Sequence, residues 1–239
     1  MNNRRERAQD VRKNVRHHHR NLYSANWWRG HAGMAHARWH YYRRHGAAHW
    51  WRWATWRGVT GWIAWRWASP IYYDYGAGGN VYYENNVVYV NGEESCTAEE
   101  YYQQAADIAA AVPEAAEDKV EWMPLGVFAL THEEKGDANM FLQLVVSKEG
   151  IIAGTYTNPL TNTALPIEGM VDRETQRAAW TVGDNKNTVM ETGIYNLTKD
   201  EAPVLMHFGK EKTQNWLLVR LEEPEGEQTP PQSDAPAEF

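Results

Sequence analysis

Eight segments with the composition of β-strands follow one another in the second half of the chain, and they constrain the fold more than any other feature. Each is rich in β-branched, aliphatic or aromatic residues and is separated from the next by turn residues such as Gly, Asn, Asp or Pro. The segments span residues 122–131, 140–147, 151–157, 165–172, 177–182, 188–196, 204–208 and 216–221. Successive strands without helices between them predict an antiparallel meander.

An eight-stranded meander can close into a small barrel whose interior is filled by side chains or holds one small ligand. Gly154, Gly169 and Gly193 lie inside predicted strands, where glycine often marks a bulge, a tight bend or a barrel corner. We therefore expect a mainly β fold, either a small up-and-down barrel or a strongly coiled sheet. A two-layer β-sandwich is the alternative. Trp180, between Ala178 and Val182, is expected in the core.

One helix is predicted directly before the strands. Thr97 and Glu100 have the spacing of a capping box, and the helical pattern runs to Val112, before Pro113. Its buried stripe is expected at Tyr101, Ala105, Ile108 and Val112. We expect this helix to pack on the β domain as a structural cover. Before it, short β-branched and aromatic runs at 71–75, 81–84 and 87–90 predict small hairpins.

The net charge of -7 conceals two opposite parts of the chain. Residues 1–75 carry 14 Lys and Arg against three acidic residues, whereas the rest of the chain is strongly acidic. Residues 1–49 have few aliphatic side chains to bury, so we expect a disordered basic arm. The predicted organisation is this arm, a Trp-rich segment (50–70), a β-hairpin connector (71–95), a helix and β-meander domain (96–221) and a disordered acidic tail (222–239).

Tryptophan and arginine alternate at short intervals in the Trp-rich segment, and ten of the 13 Trp residues lie between Trp27 and Trp67. Arginine offers forked donors to phosphate, sulfate or carboxylate groups, and indole faces stack on bases or sugar rings. On a helix, Trp50, Trp53 and Trp56 would share one side. The candidate polymer-binding residues are Arg43, Arg44, Trp50, Trp51, Arg52, Trp53, Trp56, Arg57, Trp65, Arg66 and Trp67. The alternative is that these indoles pack against the folded part of the same chain.

The sequence does not predict a metal site, a cofactor or an enzyme. The pairs His36/His40 and His45/His49 have the spacing of a helical metal pair, but no Cys or carboxylate lies near them, and we interpret them as compositional. A zinc-protease motif, a nucleophile elbow and a dinucleotide fingerprint are all missing from the sequence. Glu168 and Glu191, which lie inside predicted strands, are the only carboxylates that we single out for a possible functional role.

Several stretches resemble a family of planctomycete proteins described as mu-protocadherin-like cell-surface proteins. The resemblance lies in YYDYGAGGNVYY at 72–83, VVYVNG at 87–92, WMPLGVFALT at 122–131, GMVD at 169–172 and ETGIYNLT at 191–198. It covers roughly residues 50–221. It implies secretion or surface display and assigns no catalytic or ligand residue. The acidic calcium-binding motifs of cadherin repeats do not occur in this sequence.

The expected function is that of a non-enzymatic protein of the cell surface or envelope, with anionic or sugar-rich envelope polymers as partners of its basic, aromatic arm. Charged residues stand where a signal peptide would have its apolar stretch, so either Met1 is an internal start or the chain is cytoplasmic. A small-ligand-binding barrel is the main alternative. A nucleic-acid-binding protein is a weaker one, since no recognised nucleic-acid-binding motif occurs. The oligomeric state is not predicted, and no apolar run is long enough to span a membrane.

Overall fold

The computed structural model of the chain describes residues 2–31, 33–34, 45–63, 65–113, 119–132 and 138–224. The helices in these residues are α1 (Asn2–His18), α2 (Ala25–Gly30), α3 (Trp56–Trp62) and α4 (Ala98–Ala110). The strands are β1 (Val81–Glu84), β2 (Val87–Val90), β3 (Glu93–Thr97), β4 (Trp122–His132), β5 (Met140–Ser147), β6 (Ile151–Asn158), β7 (Thr163–Val171), β8 (Arg177–Val182), β9 (Asn185–Gly193), β10 (Glu201–Phe208) and β11 (Thr213–Arg220). Short 3-10 helices span Ala47–Trp51 and Asn196–Thr198.

Strands β4 to β11 form a closed antiparallel barrel in which β11 pairs with β4, and the other neighbours are consecutive in the chain. All eight predicted barrel strands are confirmed, and the sheet closes as an up-and-down barrel rather than splitting into a sandwich. The largest difference in bounds is at β9, which begins at Asn185 and ends at Gly193. It ends early because the chain turns into the 3-10 helix Asn196–Thr198, whose Leu197 is buried in the barrel core.

The inward faces of the strands form one hydrophobic core. Leu142, Leu144 and Val146 alternate inward along β5, and Trp180 on β8 is fully buried among them. Gly169 on β7 pairs with Trp180, and a Cβ at this position would collide with the backbone of β8. The mid-strand glycine therefore permits the close approach of β7 and β8 beside the large indole. The predicted core role of Trp180 is confirmed.

Helix α1 covers the outer wall of the barrel at β4, β5 and β11. Its apolar stripe, Ala8, Val11 and Val15, is buried against outward-facing residues of these strands. Tyr23, after the helix, is fully buried and donates its hydroxyl to the carbonyl oxygens of Phe141 (3.0 Å) and Thr155 (2.7 Å). The described residues of segment 1–49 thus differ from the expected disordered arm. A few apolar residues at helical spacing are enough to order this helix, because the barrel wall supplies the apolar surface that the segment lacks.

Arginine side chains of α1 also hold the helix on the barrel. Arg12 donates to the carbonyl oxygen of Arg220 at 2.9 Å and lies 3.3 Å from the carboxylate of Glu201. Arg4 pairs with Asp74 at 2.6 Å. The positive charge of this segment is therefore partly neutralised within the chain. Of the predicted acidic tail, the structure describes residues 222–224, and residues 225–239 lie outside the described part.

Helix α4 and the three-stranded sheet β1–β2–β3 cover the opposite wall of the barrel. The predicted capping box is present, with Thr97 accepting from the Glu100 backbone N–H at 3.2 Å and the Glu100 carboxylate accepting from the Thr97 N–H at 2.8 Å. The buried residues of α4 are Tyr101, Ala105 and Ala109. The predicted stripe is right at Tyr101 and Ala105, but Ile108 and Val112 are only half-buried, and Ala109 is buried instead. The helix also ends earlier than predicted, at Ala110, and segment 71–75 contributes only an isolated bridge between Tyr75 and Val81.

Candidate functional site

The Trp-rich segment does not form the single helix that would align its indoles. The short 3-10 helix ends at Trp51, residues 52–55 belong to no helix, and α3 begins at Trp56. The break follows from local capping, because the Thr55 hydroxyl accepts the Gly58 backbone N–H at 3.2 Å and so starts a new helix. The prediction that Trp50, Trp53 and Trp56 share one helical side is therefore wrong.

Two of the predicted binding residues are buried in the outer wall of the barrel. Trp50 is 1% exposed and packs with Val145 and Ile151 of β5 and β6. Trp51 belongs to the cluster that holds α1 on the barrel. These indoles have the structural role that the sequence left open as the alternative.

Other indoles of the segment close the end of the barrel at which β4 begins and β11 ends. Trp56, Trp62, Trp65 and Trp67 are partly buried against the barrel core. Trp62 donates its indole N–H to the Val146 carbonyl at 3.1 Å, and Trp67 donates to the Arg173 carbonyl at 2.7 Å. Trp56 stacks on Trp67 with ring centroids 5.7 Å apart. We call these four residues the aromatic cap.

The exposed residues of the segment are the remaining candidates for binding. Arg52, Arg57 and Arg66 are exposed, and Trp53 is 52% exposed, unlike the other indoles of the segment. Arg52 and Trp53 line a shallow depression of about 780 Å³, which also includes Trp51, His49 and Glu223. We call Arg52 and Trp53 the Arg52–Trp53 face. The predicted residues Arg43 and Arg44 lie outside the described part of the chain.

A buried arginine lies beneath this face. The guanidinium of Arg220 is 5.4 Å from the Trp53 ring and 4.7 Å from the Phe128 ring. It donates to three carbonyl oxygens, those of Leu125 (2.9 Å), Leu197 (2.6 Å) and Lys199 (3.1 Å). Burial lowers the pKa of Arg220 to about 10, so the side chain is still charged at neutral pH. The exposed indole therefore stacks over a fixed positive charge, which favours an anion at its surface.

Sequence reasoning missed a second polar group of residues, on the opposite wall of the barrel. Arg177 on β8, Glu191 on β9 and His207 on β10 point outward and are buried beneath α4 and the small sheet. Arg177 donates its Nε–H to the Glu191 carboxylate at 2.9 Å, and its guanidinium lies 4.1 Å from the Tyr101 ring. We call these three residues the buried triad. Of these three residues, only Glu191 was noted in the sequence, because it is a carboxylate within a predicted strand. Glu168, the other carboxylate noted there, is half-buried and does not belong to the triad.

The charge state of the triad follows from its contacts. Burial alone would raise the pKa of the Glu191 carboxyl, but Arg177 and His207 outweigh it and hold this pKa below its ordinary value. The carboxylate is therefore ionised and paired with the Arg177 guanidinium. His207 Nε2 lies 3.5 Å from Glu191 Oε1. Such a buried ion pair fixes geometry and carries charge without exposing it to solvent.

The triad is connected to a large cleft. His207 Nδ1 lies 3.4 Å from the hydroxyl of Thr213 on β11, and Thr213 lines a cleft of about 1000 Å³ between the small sheet and the β10–β11 hairpin. The cleft is also lined by Tyr83 of β1 and Asn215 of β11. The cleft therefore has a polar inner wall, and one member of this wall, Thr213, contacts the buried triad.

Comparison with known proteins gives no relative: no family model, no curated protein and no solved structure matches this chain. Among the described residues, no group of three or more His, Cys, Asp or Glu is placed to hold a metal ion. The rings of His45 and His49 stack on each other with centroids 4.0 Å apart, and the other pair of histidines, His36 and His40, falls outside the described ranges. No helix in the described part of the chain is long and apolar enough to cross a membrane.

Proposed function

We propose that this chain is a non-enzymatic protein of the cell surface or envelope that binds anionic, sugar-rich polymers at the Arg52–Trp53 face. The observation that carries the proposal is the half-exposed indole of Trp53 above the buried guanidinium of Arg220, beside the exposed Arg52. An indole face stacks on a sugar ring, and the two cations attract sulfate, phosphate or carboxylate groups of the same polymer. The resemblance to planctomycete cell-surface proteins supports the proposed location at the cell surface or envelope.

The proposed site is smaller than the whole basic arm. Arg4, Arg12 and Arg16 of α1 have acidic partners in the chain, and Trp50, Trp51 and the aromatic cap pack against the barrel. A polymer would have to displace these contacts to use them. The Arg52–Trp53 face needs no such displacement, so it is the part of the segment on which we base the function.

The two alternative functions have different support. The barrel interior around Trp180 is a packed core, the arrangement that an eight-stranded barrel adopts when side chains fill it. This favours the outer surface over the interior as the place of binding. Nucleic acid is itself a polyanion with stacking rings, so the binding experiment includes it as a competitor.

Binding of dextran sulfate, with uncharged dextran and single-stranded DNA as comparisons, tests the proposal. Trp53→Ala should weaken dextran sulfate binding roughly fivefold, about 1 kcal/mol, at every salt concentration. Arg52→Ala should weaken it mainly at low salt, because screening removes the contribution of an exposed charge. Leu160→Ala and Lys186→Ala are matched controls, since these exposed residues lie at the other end of the barrel, in the β6–β7 turn and at the start of β9.

Two results would contradict this function. The first is that Trp53→Ala and Arg52→Ala bind dextran sulfate as tightly as the unmodified protein. The second is that single-stranded DNA binds much more tightly than dextran sulfate at equal salt, which would assign the face to nucleic acid instead. Circular dichroism of each variant shows whether the barrel is still folded.

A further inference from the structure

A second cleft lies at the β10–β11 hairpin, at the opposite end of the barrel from the Arg52–Trp53 face. It is about 1000 Å³ in volume and is bounded by β1, the first turn of α4 and the β10–β11 hairpin. Pockets that bind small ligands have volumes of roughly 300–1000 Å³. The cleft therefore has room for a ligand, and its lining decides which class of ligand fits.

The charges around the cleft disfavour a polyanion. Glu84, Glu99 and Glu211 line it, and Lys210 is the single cation among its described lining residues. Lys210 pairs with Glu99 at 2.9 Å, so it is already neutralised. An anionic ligand would face uncompensated carboxylates here. The polymer of the Arg52–Trp53 face and the ligand of this cleft must therefore differ in charge.

The inner wall of the cleft carries hydroxyl groups and an amide, and one of the hydroxyls contacts the buried triad. The Thr213 hydroxyl lies 3.4 Å from His207 Nδ1, and the other ring nitrogen of His207 faces Glu191. Tyr83, whose phenol neighbours Thr213, lines the same wall with Asn215. Arg177 donates its Nε–H to the other carboxylate oxygen of Glu191 at 2.9 Å. Thr213 is thus the outermost member of a chain of polar groups that ends in a buried ion pair.

This arrangement suits a ligand that both donates and accepts hydrogen bonds. A hydroxyl fixed by an imidazole and an adjacent amide can each serve a hydroxyl of the ligand, and the Tyr83 ring and Leu205 side chain add apolar surface beside them. A preorganised hydroxyl such as that of Thr213 loses little entropy when it binds. The geometry points to a binding site for a neutral, hydroxyl-rich ligand, a saccharide unit, at Thr213 and Asn215 in this cleft.

A titration with neutral oligosaccharides tests this site. The probes are tetramers of glucose, galactose, mannose and N-acetylglucosamine, together with the sulfated form of each. Binding is followed by the backbone amide shifts of isotopically labelled full-length protein. We expect at least one neutral tetramer to shift the amides of Thr213 and Asn215, and its sulfated form to bind more weakly.

Variants at the inner wall separate recognition from folding. Thr213→Val keeps the shape of the side chain and removes the hydroxyl, so it should weaken binding about tenfold. His207→Gln should weaken it as well, through loss of orientation of the Thr213 hydroxyl. Thr161→Val, at an exposed turn residue on another hairpin, is the matched control and should bind normally. Unchanged amide shifts elsewhere in the barrel show that each variant is folded.

The proposal is overturned if no neutral tetramer shifts the cleft amides, if the sulfated forms bind there more tightly, or if Thr213→Val binds as well as the unmodified protein. These outcomes do not test the polymer binding proposed for the Arg52–Trp53 face. That face lies at the end of the barrel covered by the aromatic cap and is tested with separate variants.

Discussion

Removing Arg177 from the buried triad should be among the most destabilising single changes in this protein. In Arg177→Met the Glu191 carboxylate stays fully buried and loses the guanidinium that neutralises it. Breaking a buried ion pair in this way costs about 3–5 kcal/mol. The variant also leaves the Gln104 side-chain oxygen without the donor that lies 2.9 Å away in the structure. We therefore expect a loss of about 4 kcal/mol in the free energy of unfolding.

A double-mutant cycle isolates the pair itself. Replacing both partners, Arg177→Met with Glu191→Met, removes the uncompensated charge and fills the space with side chains of similar length. We expect the double variant to recover at least half of the loss seen in Arg177→Met, about 2 kcal/mol. With Glu191→Met as the second single variant, the coupling energy is the loss in the double variant minus the losses in the two single variants. Urea unfolding followed by far-ultraviolet circular dichroism gives both values, provided that the m-value is unchanged.

The pH dependence of the free energy of unfolding provides an independent check that the Arg177–Glu191 pair stabilises the fold. The folded-state pKa of Glu191 is lowered, so the pair contributes stability above the unfolded-state value of about 4.3 and loses it as the pH falls through the folded-state value. In Arg177→Met the carboxylate becomes neutral on acidification, which relieves the unpaired charge. The unmodified protein and the variant should therefore converge in stability below about pH 4. A loss under 1 kcal/mol at pH 7, or a deficit that grows in acid, would refute the reasoning.

Three further predictions concern the core, a helix cap and a buried phenol. Trp180→Ala should lower the free energy of unfolding by about 3–5 kcal/mol, measured in urea, because it leaves a cavity at the barrel centre. Thr97→Ala should cost about 1 kcal/mol and increase amide hydrogen exchange in the first turn of α4, with Thr161→Ala as the exposed control. Burial raises the pKa of Tyr73 to about 12, so its contribution to stability is complete below about pH 10 and is lost as the pH rises through 12. The slope of stability against pH in this window should be shallower in Tyr73→Phe, and an equal slope would show that Tyr73 ionises freely.

The barrel was predictable from the sequence because its signals are local. Apolar alternation and turn residues mark each strand, and eight successive strands leave few ways to bury one face of every strand. The capping box at Thr97 and Glu100 likewise acts within one helical turn. The strand bounds differ by a few residues, since tertiary contacts such as the 3-10 helix after β9 decide where pairing stops.

The helical structure within residues 2–31 and the candidate sites could not be predicted, because they depend on contacts between distant parts of the chain. Three apolar residues of α1 give no stable helix alone, but they pack on a wall of the barrel more than 100 residues later in the sequence. The buried triad joins residues of three strands, and neither Arg177 nor His207 has a local pattern that predicts its burial. The exposure of Trp53 and the burial of Trp50 are likewise decided by where the chain crosses the barrel.

The most direct test of the polymer-binding face is the fluorine NMR spectrum of protein labelled with 5-fluorotryptophan, titrated with dextran sulfate. The Trp53 resonance is assigned by its absence in Trp53→Phe. If the face binds the polymer, the Trp53 signal shifts or broadens at low polymer concentration, whereas the signals of the buried Trp50 and Trp180 stay in place. An unchanged Trp53 signal at saturating polymer would contradict the account, as would equal shifts of all three indoles.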